Sequence, residues 1–370
     1  MSTPIVPKLF QPVKVSNFLL SHRVVLAPLT RFRASKAHVH GDLAVEYYGQ
    51  RASVPGTLLV TEATFIAAKA GGYGNVPAIW SDEQVAAWKK VTDAVHAKGS
   101  RIFCQLWALG RVAVTDVLKA EDPSFELVAP SAVQASGYGV PRPLTTPEIK
   151  EYVQLYTAAA VNAIRAGFDG VELHGANGYL IDQFLQDVSN KRTDEYGGSI
   201  ENRCRFALEV IESVTKAIGQ HNVGIRLSPW GQFQDMRMSD PKPTFSHLVS
   251  SIAKQYPDFA YIHVVEPRVE GNVDRKQDAE HESNDFLREI WAPRPFIAAG
   301  GFTRDIALET AEKHGNLIAF GRAFIPNPDL PLRLAKDLPL TVTNRDQYYA
   351  VGDPKGYVDW PFSDDPRANL

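Results

Sequence analysis

Eight short apolar runs, separated by helix-forming segments, constrain this chain more than any other feature. They cover residues 23–28, 57–62, 101–107, 169–174, 223–228, 260–265, 295–299 and 317–321. Each is mainly apolar, does not alternate with polar residues, and the set is rich in β-branched residues. A strand covered on one face alternates apolar with polar; a strand covered on both does not. The runs therefore read as a parallel sheet buried on both faces. Helical patterns lie between them. Residues 82–98 open on Ser81 and close at Gly99; residues 147–166 have Thr146 as cap and Pro147 at the first helical position; residues 201–218 follow Ser199 and stop at Gly219. Residues 244–255, 284–291 and 303–313, and a short segment after Asn327, complete the set. Strands alternating with helices in this number predict an α/β fold, a closed (β/α)8 TIM barrel rather than an open sheet.

Three segments depart from the regular count. Residues 8–22 read as a hairpin (Val13-Lys14-Val15, then Asn17, then Phe18-Leu19-Leu20) able to plug the barrel bottom. Residues 108–146 form a Pro/Gly-containing insertion after the third strand, and residues 185–199 lengthen the loop after the fourth. Both insertions lie on the C-terminal side of strands, where barrel active sites are built. No repeat or linker divides the chain, so residues 1–370 read as one domain.

Composition narrows the function classes. A chain with 44% hydrophobic residues and this length can bury a core without disulfides or metals. A net charge of -3 gives no field that would draw it to nucleic acid or an anionic membrane. Two cysteines, Cys104 and Cys204, do not make a disulfide framework, and Cys104 sits in an apolar run. The N-terminus lacks a basic, apolar leader, and no apolar stretch reaches membrane-spanning length, so a cytoplasmic location is expected. The state expected is monomer or homodimer.

The ends of the strands carry the informative residues. They are Thr30, Thr61-Glu62, Gln105 with Trp107, His174, Arg226, Glu266, Gly300-Gly301 and Gly321-Arg322, in chain order. In a barrel these converge on one mouth. Glycines after strands 7 and 8 let backbone N–H groups approach a phosphate, and an arginine can pair with its oxygens. The same glycines also suit tight strand-to-helix turns. No G-x-G-x-x-G and no P-loop pattern exists, so a cofactor phosphate would bind barrel-style. His174 and Asn177 can each donate to one oxygen that gains negative charge, while Tyr179 carries a transferable proton. Each also has a structural reading, since Asn-Gly is a common turn and a lone Tyr often packs. No metal is expected: His281-Glu282 has no second histidine at a ligating spacing. His22, His38, His40, His96, His221, His247 and His314 fall in apparent loops or on solvated helix faces.

Four ordered stretches are specific enough to compare with known families. They are Ala27-Pro28-Leu29-Thr30-Arg31, Gln105-Leu106-Trp107, His174-Gly175-Ala176-Asn177-Gly178-Tyr179-Leu180 and Arg192-Thr193-Asp194-Glu195-Tyr196-Gly197-Gly198-Ser199-Ile200-Glu201-Asn202-Arg203. On these motifs the chain resembles, end to end, the old yellow enzyme family of FMN-dependent ene-reductases, and its fungal members in particular. The resemblance implies that Pro28, Thr30 and Ala63 contact the flavin and that Gln105 hydrogen-bonds its polar edge. It places Arg226 by N1 and the C2 carbonyl, where reduced flavin carries negative charge. It assigns the FMN phosphate to Gly300, Gly301, Gly321 and Arg322, and the substrate pocket to Trp107 and Tyr349. His174 and Asn177 would bind the carbonyl oxygen of an α,β-unsaturated aldehyde or ketone. Hydride would pass from flavin N5 to the β-carbon, Tyr179 would protonate the α-carbon, and NADPH or NADH would reduce the flavin first. Relatives often carry a larger polar residue where Gly301 stands, although its backbone N–H still reaches a phosphate. In fungal relatives acting on an ergot-alkaloid aldehyde, Tyr or Phe at the position of Tyr179 separates reductase from isomerase behaviour.

Two other classes compete. One is a barrel hydrolase using the strand-end carboxylates Glu62 and Glu266, which would be colourless. The other is a non-catalytic flavin-binding protein, yellow but inert toward NADPH and an enone.

Overall fold

A computed structural model describes residues 6–271, 273–275 and 282–365; His281 lies outside the described residues. The barrel strands are β1 (Val24–Leu26), β2 (Leu58–Val60), β3 (Arg101–Trp107), β4 (Gly170–Gly175), β5 (Val223–Leu227), β6 (Tyr261–Val265), β7 (Phe296–Ala299) and β8 (Leu317–Phe320). Each pairs in parallel with its neighbours in chain order. β8 pairs with β1 (Ala319 opposite Val25) and β2 with β3 (Leu59 opposite Ile102), so the sheet closes into the expected (β/α)8 TIM barrel.

One outer helix follows each strand: α1 (Asp42–Arg51), α2 (Asp82–His96), α3 (Thr146–Arg165), α4 (Ile200–Ile218), α5 (Lys242–Gln255), α6 (Asp285–Trp291), α7 (Arg304–His314) and α8 (Leu330–Lys336); two short extra helices, Thr115–Glu121 and Leu180–Leu185, lie in the loops after β3 and β4. Helix α1 has no counterpart in the sequence pattern. Its buried face is Ala44, Tyr47, Tyr48 and Arg51, so it offers no aliphatic periodicity to read. The cap of α3 is Thr145 rather than Thr146. The Thr145 hydroxyl accepts from the Glu148 N–H while the Glu148 carboxylate accepts from the Thr145 N–H, which satisfies two otherwise orphaned donors. Ser81 and Ser199 cap α2 and α4 as their sequences predict.

Two apolar layers hold the ring. Outside, helix faces bury Trp88, Phe206, Leu248 and Trp291 against the strands. Inside, Val25, Leu58, Val60, Phe103, Tyr261, Ile297 and Leu317 fill the lower barrel. Two glycines make that filling possible. A Cβ at Gly170 would lie 2.4 Å from the Phe103 ring, and one at Gly224 would lie 2.5 Å from the Tyr261 ring. The hairpin Val13–Val15/Phe18–Leu20 seals the bottom by inserting Val15 and Leu20. Burying a Val or Leu side chain fully contributes about 1.5–3 kcal/mol, so the plug is worth several kcal/mol.

The two long insertions dock on each other. In the first, Val128–Ala129 pairs with Arg142–Pro143. From the second, the Arg192 guanidinium donates to the Pro130 and Leu144 carbonyls at 2.9 and 2.6 Å. Cys104 and Cys204 are buried free thiols. His22, His38 and His40 are buried, against the sequence expectation: His22 packs under the start of β1 against Thr57, and His38 and His40 lie on the loop after β1 that folds back onto the barrel. Among the described residues no helix is long and apolar enough to cross a membrane.

Candidate active site

The C-terminal mouth of the barrel opens into a cavity of about 510 Å³. Every strand of the barrel leads into residues that line it, β2 through Tyr73 in the loop that follows. From β1 come Pro28 and Thr30; from β3, Trp107; from β5, Arg226. From β7 and β8 come Gly300, Gly301, Gly321 and Arg322. Asn177 and Tyr179, just past β4, and Tyr349 from the C-terminal segment complete the expected residues in the wall. Ala63, Gln105 and His174 sit directly behind it. Ala63 packs in the aromatic cluster around Trp107, and Gln105 is buried under the floor. The His174 ring lies between Trp107, stacked at 6.2 Å, and Tyr179, edge-on at 4.8 Å.

The turn after β4 explains why three polar residues stand so close. Asn177 and Gly178 both have positive φ, 59° and 78°, and the Tyr179 N–H donates to the Ala176 carbonyl at 3.4 Å. This is a tight turn of the kind that Asn-Gly favours. The Asn177 N–H donates to Ser228 Oγ at 2.7 Å, and the Gly178 N–H to the Asp182 carboxyl at 2.9 Å. The turn reading of this motif holds. The turn that Asn-Gly makes is what brings Asn177 and Tyr179 to the mouth.

Protonation states follow from surroundings. Burial, with Arg226 and His263 nearby, keeps His174 well below its ordinary pKa, so its ring is neutral. The Ala176 N–H donates to His174 Nδ1 at 3.4 Å, which leaves the ring proton on Nε2 as a donor. Burial raises the Tyr179 phenol, so it is fully protonated at neutral pH. Burial pushes Asp182 up to about 7.

A polar layer lies between the apolar lower barrel and the cavity. Glu172 on β4 is fully buried. Its carboxylate accepts from Gln105 Nε2 at 2.7 Å and from His263 Nδ1 at 2.9 Å. Arg226 sits beside His174 and His263 in the strand register, and its Nε is buried with no partner among the described residues.

At the β7–β8 side the backbone dominates. Gly300 and Gly301 have φ of 110° and 62°, and a Cβ on Gly300 would lie 2.7 Å from Val269. A side chain there would fill the cradle and strain the chain. The Arg322 guanidinium forms a two-pronged pair with Asp274, on the loop after β6.

Sequence reasoning missed several wall residues. The Tyr73 and Tyr138 hydroxyls hydrogen-bond at 3.0 Å across the cavity rim, and Phe32, Phe233 and Tyr348 add further rings. The available signal was local: Tyr73 and Tyr138 stand between glycines in loops, where no neighbouring side chain can shelter a ring. Tyr348 is placed by arginines. The Arg31 and Arg33 guanidiniums each donate to its carbonyl, at 3.0 and 2.8 Å, and Arg31 also to the Gly356 carbonyl at 2.7 Å. The two carboxylates of the hydrolase reading are engaged elsewhere and absent from the wall. Glu62 accepts from the Arg31 N–H and the Tyr48 hydroxyl, and Glu266 pairs with Arg288.

The cavity fits a flat, anionic cofactor. Among the described residues no Asp or Glu lines it, three arginines do, and one of these, Arg226, carries a buried Nε–H donor without a partner. A glycine cradle at one end suits a phosphate. The comparisons agree. The family model of the NADH:flavin oxidoreductase / NADH oxidase family matches residues 8–341. A relative named NADP-dependent oxidoreductase, from Aspergillus flavus, is 50% identical over 96% of this chain and 97% of its own. A chanoclavine-I aldehyde reductase of Penicillium roqueforti is 49% identical over 96% of both chains. The crystal structure of old yellow enzyme from a Pichia species superposes with a TM-score of 0.89 at 40% identity, covering 98% of this chain and 96% of that one. The chain thus belongs to the NADH:flavin oxidoreductase / NADH oxidase family and is an FMN-dependent oxidoreductase of old yellow enzyme type, reduced by NADPH or NADH.

Proposed function

We propose that the chain reduces the C=C bond of α,β-unsaturated aldehydes or ketones. The observation that carries this reading is the pairing, at one mouth, of a neutral Nε2–H histidine with a protonated phenol 4.8 Å away, ring centre to ring centre. His174 and Asn177 donate to the substrate carbonyl oxygen. Those donors draw electron density toward oxygen and leave the β-carbon electrophilic. FMN, when bound, takes electrons from NADPH or NADH and supplies a hydride. Tyr179 delivers a proton to the α-carbon. A phenol raised by burial is a weak acid, so its contribution depends on position held by the Asn177-Gly178 turn. Gly300, Gly301, Gly321 and Arg322 hold the cofactor phosphate. Pro28, Thr30, Ala63, Gln105 and Arg226 hold its ring system. Trp107 and Tyr349 line the substrate side, with Tyr73 and Tyr138 closing it.

The aromatic walls favour a flat, largely apolar substrate over a small polar one. The aldehyde reductase relative, by its name, acts on an aldehyde, one of the proposed carbonyl classes. The test is a visible spectrum of the purified protein, then NADPH and NADH consumption against a panel of enals and enones. A yellow protein that consumes NADPH faster with an enone and yields the saturated product is expected. A yellow protein without enone-dependent turnover returns the reading to a flavin-binding protein.

A further inference from the structure

We infer that Glu172 is a positioning residue that sets the reduction potential of the FMN in the cavity above it, by fixing Gln105 and by offsetting the charge of Arg226. This rests on the proposed placement of the flavin ring over Gln105 and Arg226.

The geometry is specific. Glu172 lies opposite Gln105 in the β3–β4 register, and Arg226 lies opposite His263 in the β5–β6 register. Four adjacent strands thus bring an amide, a carboxylate, a guanidinium and an imidazole into one buried layer. One N–H of Gln105 Nε2 is committed to Glu172 at 2.7 Å, which fixes the amide and leaves its carbonyl oxygen and its second N–H for a ligand above. His263 Nδ1 donates to the other carboxylate oxygen at 2.9 Å, which leaves His263 Nε2 as a buried lone pair. His263 and Arg226 hold Glu172 in its charged form despite full burial.

A buried charge is costly, and an apolar replacement of similar volume commonly folds as well or better. The barrel has an extensive apolar core apart from this layer. The carboxylate has an electrostatic consequence instead. It sits under a guanidinium that would otherwise present its full positive charge to the cavity. Negative charge gained on reduction is then attracted less strongly, and the potential is held down.

The test is the two-electron potential of bound FMN, read against a reference dye, together with the FMN dissociation constant. In Glu172→Gln the reduced-to-oxidised ratio at a fixed potential should rise about tenfold, which is about 30 mV for a two-electron couple. In Glu172→Asp, which keeps the charge one methylene back, the ratio should stay within about twofold while FMN binds more weakly as Gln105 loses its anchor. A Glu172→Gln ratio that is unchanged or falls overturns the proposal. So does a Glu172→Asp ratio that moves tenfold, and this variant decides alone if Glu172→Gln does not accumulate. Wild-type protein that binds no FMN would overturn the functional reading itself. Yellow, active wild type with an unshifted Glu172→Gln overturns only this inference.

Discussion

The β3–β4 side of the mouth and the β7–β8 side solve different problems with different atoms. On the first, the polar groups at the mouth belong to side chains. Trp107, His174, Asn177 and Tyr179 are set by ring contacts, a tight turn and a hydrogen bond to Ser228. On the second, the wall is mostly backbone. Gly300 and Gly301 adopt positive φ, and their value lies in the side chains they lack. The difference teaches how each side should fail. Removing an atom should hurt the first, and adding an atom should hurt the second.

Tyr179→Phe tests the first side most sharply. It removes one oxygen and keeps the ring contacts with Trp107 and His174. Enone reduction should fall by about 10²–10⁴-fold, the usual worth of a positioned acid, while FMN content and NADPH oxidation by bound flavin persist. Unchanged enone turnover would remove Tyr179 from the mechanism. The double change His174→Ala with Asn177→Ala removes two donors at about 1 kcal/mol or more each, so enone or phenol binding should weaken roughly 30-fold or more. The flavin should stay bound in this variant. Its loss would move both residues from the substrate to the cofactor.

The opposite side is broken by addition. Gly300→Val places a side chain where a Cβ already lies 2.7 Å from Val269, at a φ of 110°. Strain of about 1–3 kcal/mol should weaken FMN binding by about five- to 100-fold without altering the protonation chemistry of whatever flavin is retained. Equal FMN affinity for variant and wild type, by fluorescence titration, would show that the cradle is only a turn.

The smallest expected effect concerns the support of the first side. Asp182 accepts from the Gly178 N–H and from Gln186 Nε2. Its carboxyl is raised from 3.8 to about 7, so across that window it is protonated when folded and ionised when unfolded. Folding then takes up a proton. The stability contribution is full below the lower value and is lost as pH rises through about 7. Urea titrations should show wild-type stability declining across this range, with the component absent in Asp182→Asn. Identical pH profiles would place the carboxyl proton elsewhere.

Much of the first side was legible in the sequence, and less of what supports it. The His174 to Tyr179 motif names its own residues because a turn of two adjacent positive-φ positions selects Asn-Gly. Tyr73 and Tyr138 carry only their flanking glycines as a local signal, and their partnership was not legible because it joins the loop after β2 to the insertion after β3. Helix α1 was missed because it buries tyrosines and an arginine instead of aliphatic residues. His22, His38 and His40 looked solvated because nothing local shows that their loops return to the barrel.

By itself the sequence determined the barrel. Eight unalternating apolar runs cannot all be covered on both faces unless helices lie outside and the sheet closes within. It also marked the polar strand ends, of which Thr30 and Arg226 reach the cavity while Glu62 and Glu266 are engaged elsewhere. Only the tertiary structure decided how those ends combine. Parallel register set Glu172 against Gln105 and Arg226 against His263, and it put an ionised carboxylate under a cavity walled by arginines. Hydrogen bonds and charge depend on separations of a few ångströms, and the sequence fixes these only once the ring has closed.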